Sequence, residues 1–70
     1  MDKQPVKSSK ISMIGYDPKS KTLEIEFRSG RIYQFLNVPK SEHKSLMSAS
    51  SHKSYFDKNI KNHYRWVKIK

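Results

Sequence analysis

Residues Thr22 to Phe27 constrain this chain more than any other stretch, because Leu23, Ile25 and Phe27 alternate with Glu24, Glu26 and Arg28. A period of two sends successive side chains to opposite faces of a strand, here one apolar and one charged. Ser29-Gly30 follows as a turn, and Arg31 to Leu36 is the partner strand. Loop length sets the register, since a one-residue slip turns every side chain of a strand over. A two-residue Ser29-Gly30 loop would put Phe27 opposite Ile32 and send Tyr33 to the face of Glu24 and Glu26. A three-residue Arg28-Ser29-Gly30 loop needs Gly30 in the left-handed region, as in a type I turn followed by a G1 bulge. It places Phe27 opposite Arg31 and gathers Leu23, Ile25, Phe27, Tyr33 and Phe35 on one face. The second arrangement is favoured, because it makes one continuous apolar surface.

The rest of the chain is read around this hairpin. Ile11, Met13, Ile14 and Tyr16 form a preceding strand, and Gly15 within it marks a bulge or a close backbone approach. Asp17-Pro18 opens the turn that follows. Residues Met1 to Ser9 are polar apart from Val6 and read as a flexible basic arm carrying Lys3 and Lys7. Val38-Pro39 leaves the sheet, and Pro39 suits the first turn of a helix running to Ser48. Ser54 with Asp57 is a Ser-x-x-Asp capping pattern that predicts the start of a second helix. On that helix Phe56, Ile60, His63 and Tyr64 would share an apolar face, opposite a cationic stripe of Lys58, Lys61 and Arg65. His63 is then a partly buried structural residue. Residues 65–70 suit a helix or an extended chain equally. The expectation is an α+β domain over residues 10–64: a three-stranded antiparallel meander with two short helices packed on one face. Residues 1–9 form the arm and 65–70 a basic tail.

With 70 residues, of which 15 are Leu, Ile, Val or Phe, the chain suffices for one small domain with a thin core. The absence of cysteine excludes disulfides, thiolate catalysis and cysteine-bound zinc. It also fits a reducing compartment. No stretch approaches the ~20 apolar residues of a membrane span or the apolar core of a signal peptide, so a cytoplasmic protein with no membrane partner is expected.

The charge is the strongest functional signal. Fifteen Lys and Arg against six Asp and Glu leave +9, most of it after Leu36. Such an excess concentrates polyanions, nucleic acid before acidic protein or anionic membrane. Lys53, Lys58, Lys61, Arg65, Lys68 and Lys70 are the candidate phosphate contacts. Single-stranded bases stack on exposed aromatic rings. Tyr33 and Phe35 have suitable spacing but belong to the core face, which leaves Tyr16, Tyr55 and Trp66 as the better stacking candidates. His43, His52 and His63 never fall four apart, so no helical metal pair exists. Asp17, Glu24, Glu26 and Lys21 superficially imitate a metal-dependent nuclease cluster. Alternating Glu on a hairpin is, however, an ordinary solvent face. No catalytic residue, metal or cofactor is expected.

An ordered series of residues resembles the KTSC domain, a module of about sixty residues named for its place at the C-terminus of some lysyl-tRNA synthetases. The series comprises Ser8, Ile11, Ile14-Gly15-Tyr16-Asp17, Leu23, Ile25, Phe27, Gly30, Tyr33-x-Phe35, Val38-Pro39, Leu46, Ala49, Ser51, Tyr55-Phe56 and Ile60. The family also occurs as free-standing bacterial or phage proteins. Three positions depart from its pattern. Phe35 replaces the second Tyr of the hallmark Tyr-x-Tyr, Lys53 stands where Gly is usual, and Asp57 stands where Asn is usual. The resemblance implies RNA binding. Charge and resemblance together predict a non-catalytic module holding tRNA-like or single-stranded RNA on a basic stripe of the C-terminal helix. An assembly module docking an acidic protein is the alternative. Open sheet edges at Ile11 to Tyr16 and Arg31 to Leu36 would allow a weak homodimer as well as a monomer.

Overall fold

The computed structural model describes residues 2–70. Five strands run β1 (Asp2–Pro5), β2 (Ile11–Asp17), β3 (Thr22–Phe27), β4 (Ile32–Phe35) and β5 (Trp66–Lys68), and helices α1 (Lys40–Ser48) and α2 (His52–Asn59) lie between β4 and β5. All neighbouring strands are antiparallel, in the order β1-β2-β3-β4-β5. The α+β architecture agrees with the expectation from sequence, with five strands in place of three.

The hairpin register is the three-residue one. Leu23 pairs with Phe35, Ile25 with Tyr33 and Glu26 with Ile32, which leaves Arg28, Ser29 and Gly30 as the loop. The Phe27 amide donates to the Arg31 carbonyl at 2.8 Å, and Gly30 has φ +96°, a conformation natural only to glycine. Ile11, Ile14, Leu23, Ile25 and Phe35 from the sheet meet Val38, Leu46, Phe56 and Ile60, and these nine form the buried core. The bulge lies between Ile11 and Met13, not at Gly15.

The expected flexible arm is instead strand β1 over residues 2–5, with Met1 outside the described residues. A side chain-to-side chain tether explains why it pairs. Lys3 lies beside Gly15 and Gly15 beside Glu24, so the glycine leaves a path across β2 for the Lys3 side chain. The Lys3 ammonium reaches Glu24 at 2.6 Å and Glu26 at 3.6 Å, and the Gln34 amide donates to the other Glu24 oxygen at 2.8 Å. Glu24 is thus a buried carboxylate, 8% exposed, where an ordinary solvent-facing residue was expected. Burial pushes its pKa up, but Lys3 and Gln34 together outweigh burial and hold it below the usual value.

The open edges expected at β2 and β4 are covered by β1 and β5. Residues 65–70, for which helix and extended chain were equally suited, take the extended form. The Leu36 amide donates to the Arg65 carbonyl at 2.8 Å, and the Ile32 amide to the Lys70 carbonyl at 3.0 Å. These bonds satisfy backbone groups that β4 would otherwise leave bare.

At one end of the sheet the Tyr16 ring stacks on His43 of α1, with centroids 4.7 Å apart and planes 9° from parallel. The Tyr16 hydroxyl donates to the Val38 carbonyl. Tyr16 is therefore a packing residue and not the exposed stacking platform expected from sequence. Burial lowers the His43 pKa below its ordinary 6.5. The unfolded chain therefore takes up the proton first, so this group's contribution to stability is intact above pH 6.5 and declines as pH falls below it. The thermal midpoint of the wild type is expected to fall between pH 7.5 and 5.5, and His43→Phe to flatten that decline. An equal decline in the variant would refute the assignment.

Candidate functional site

α2 begins and ends earlier than its sequence signals indicate. Its N-cap is Ser51, whose hydroxyl accepts from the Ser54 amide at 3.3 Å, so Ser54 lies within the helix and does not cap it. The helix stops at Asn59, where the Ile60 and Lys61 amides both turn back to the Phe56 carbonyl. Ile60 is fully buried and anchors the chain there. Asn62 and His63 have little helix preference, and the chain must turn to reach the edge of β4. Hence Lys61 and Arg65 are not on the helix, and the stripe of Lys58, Lys61 and Arg65 does not exist as a helical face. His63 is exposed, with its Nε2 3.0 Å from the Lys58 carbonyl oxygen, and not partly buried on an apolar face.

A groove of about 600 Å3 lies beside the β3–β4 turn, lined by the hairpin, α2 and β5. Its aromatic lining is Phe27, Tyr33 and Phe35 from the hairpin, Phe56 from α2 and Trp66 from β5. The rings meet edge to face: Phe56 lies 5.6 Å from Phe27 and 5.3 Å from Phe35, while Tyr33 lies 5.8 Å from Phe27 and 5.2 Å from Trp66. Phe35 and Phe56 are buried, Phe27 and Tyr33 half-buried, and Trp66 is 50% exposed.

Five cations also line the groove: Lys10, Arg28, Arg31, Lys53 and Lys61, against one acid, Asp57. They differ in freedom. The Lys53 ammonium is held by both Asp57 oxygens, at 2.7 and 2.6 Å. Arg28 donates to the Ser8 carbonyl at 2.6 Å and the Val6 carbonyl at 3.3 Å, which ties the hairpin to the β1–β2 connection. Lys10, Arg31 and Lys61 make no ion pair among the described residues, whose ion pairs are those of Lys3 and Lys53.

Of the residues selected from sequence, Lys53, Lys61 and Trp66 meet at this groove. Lys58 and Tyr55 line a shallow depression elsewhere with Ala49, Ser50, Ser51, Ser54 and Asn59. The Tyr55 hydroxyl donates to Glu42 at 3.2 Å, which ties α2 to α1. Arg65, Lys68 and Lys70 are exposed along the last strand and its ends. Sequence reasoning passed over Lys10, Arg28 and Arg31. Arg28 opens the hairpin loop and Arg31 follows it, so the favoured register already placed one cation next to Phe27 and another opposite it. Among the described residues no three His, Asp or Glu are placed to hold a metal, and no helix is long and apolar enough to cross a membrane.

Comparison with known proteins places these features in context. A family model described as the KTSC domain matches residues 7–64. The crystal structure of a KTSC domain protein from Yersinia pestis superimposes with a TM-score of 0.95 at 46% identity, covering 99% of this chain and 97% of that one. A protein of Stutzerimonas stutzeri is 36% identical over 70 residues, 99% of both chains. The lysine–tRNA ligase of Nostoc punctiforme is 36% identical over 61 residues, which cover 87% of this chain but 11% of the ligase.

Proposed function

We propose that this chain, which belongs to the KTSC domain family, is a small non-catalytic module that binds RNA at the groove beside the β3–β4 turn. The observation that carries the reading is the coincidence of an aromatic lining with Lys10, Arg31 and Lys61, cations that make no ion pair among the described residues. Long cations at a rim suit phosphates, because each contact releases condensed counterions. Aromatic rings suit bases, because every base has a π face. The choice of RNA is supported by the similar segment in a lysine–tRNA ligase, an enzyme named for tRNA. Lys53 adds to the rim once its ammonium is shared between Asp57 and a phosphate. Lys68, Lys70 and Arg65 extend the positive field along β5. The exposed, solvated pair of Lys53 and Asp57 contributes little stability and is readily rearranged.

Titration of a fluorescently labelled single-stranded RNA at 50 to 200 mM salt tests the reading. The logarithm of affinity is expected to fall against that of salt with a slope of about −2 for three phosphate contacts on a single strand. Absence of measurable binding at 50 mM salt would end the proposal. The charge equally suits an acidic protein partner; in that case material retained by the protein would survive nuclease treatment and the RNA titration would stay flat.

A further inference from the structure

Resting on that reading, we infer that the groove admits unpaired bases and excludes the duplex, with Trp66 as its outer stacking platform. Trp66 is the largest apolar side chain of the molecule, yet half its surface faces water. Leaving such a ring exposed forgoes the stabilisation that its burial would bring. It is also held in place: Trp66 pairs with Phe35 in the β4–β5 register and its ring meets Tyr33 edge to face at 5.2 Å. A ring fixed from behind and open in front is already ordered for a flat partner, so little side-chain freedom is lost on binding.

The dimensions favour a splayed strand. About 600 Å3 is the size of a site for a single small molecule, room for a base or two. Bases in a duplex are stacked on each other and present only phosphates and groove edges outward. A duplex would touch the rim at Arg31 and Lys61 and leave the rings unused. A single strand can turn a base in to Trp66 and Tyr33 while its flanking phosphates meet the same cations. The lining is mostly rings and long cations, so recognition by π faces is tolerant of sequence.

The chain has one tryptophan, so its emission reports the site directly. Octameric U and A single strands and an RNA duplex of matched phosphate content should be titrated against the full chain at 50 mM salt. Single strands are expected to quench Trp66 and to bind at least about tenfold more tightly than the duplex. Trp66→Ala, an exposed position, should lower single-strand affinity by about tenfold or more while leaving the salt slope unchanged. Circular dichroism checks that the variant remains folded, and Trp66→Phe should restore most of the affinity. Equal affinity for duplex without quenching, together with the expected salt slope, would overturn the inference while the nucleic-acid reading stands. Failure of every probe to bind would overturn both.

Discussion

Phe56→Ala is expected to abolish the cooperative unfolding transition of this protein near room temperature or to reduce its midpoint drastically. Phe56 is 5% exposed and is the ring through which α2 grips the sheet, edge to face with both Phe27 and Phe35. Truncating a buried Phe to Ala removes about 3–5 kcal/mol, from lost burial and the cavity left behind. A chain of 70 residues has a total stability of ~4–10 kcal/mol at typical values per residue. The loss is therefore from about a third of the whole to all of it. Thermal and urea unfolding followed by circular dichroism measures it, with Phe56→Leu as the milder comparison, expected to lose less because most of the volume remains. A Phe56→Ala midpoint within a few degrees of wild type would mean that α2 is held by something other than this ring.

Simultaneous replacement of Lys10, Arg31 and Lys61 by Gln is expected to weaken single-stranded RNA binding by about 500-fold at 50 mM salt. The figure follows from counterion release: each phosphate contact gives about 0.7 of slope, or roughly eightfold in affinity at that salt. The slope itself should fall close to zero. These three residues make no ion pair among the described residues, so their neutralisation leaves the native salt bridges intact and stability should change little. Neutralising the exposed Lys40, Lys44 and Lys58 removes the same charge away from both the groove lining and β5 and is the matched control. Equal losses in both triple variants would show that net charge alone, and not the groove, attracts the RNA.

The parts of this fold that were legible in the sequence are those decided by neighbouring residues. The alternation of Leu23, Ile25 and Phe27 with Glu24 and Glu26, and a glycine three residues past Phe27, favour the β3–β4 register that forms over the two-residue loop. The Asp17 turn is equally local: its carboxylate accepts from the Lys19 amide at 3.0 Å and the Ser20 hydroxyl at 3.0 Å. Strand β1 was illegible because nothing in Asp-Lys-Gln-Pro favours a strand. It pairs because Lys3 finds Glu24 across a glycine in another strand. The capping pattern at Ser54 competed with Ser51 one turn earlier, and Ser51 prevails in a helix whose His52 ring nitrogen also lies 2.9 Å from the Leu46 carbonyl oxygen.

The candidate site divides in the same way. Its chemistry, an excess of cations with a few well-placed aromatic rings, could be read from residue types alone. Its location could not. A cationic stripe was read along a helix that ends before two of its three members, and the free cations that line the groove came instead from the β1–β2 connection, the hairpin and the turn after α2. Local hydrogen bonds, turn geometry and two-residue periodicity are properties of adjacent residues, and so the amino-acid order determined the hairpin, its face and the existence of both helices. The edge strands, the Lys3–Glu24 pair and the open end of the sheet depend on groups far apart in the chain, each satisfied only after the others are in place. Those were decided by the tertiary structure.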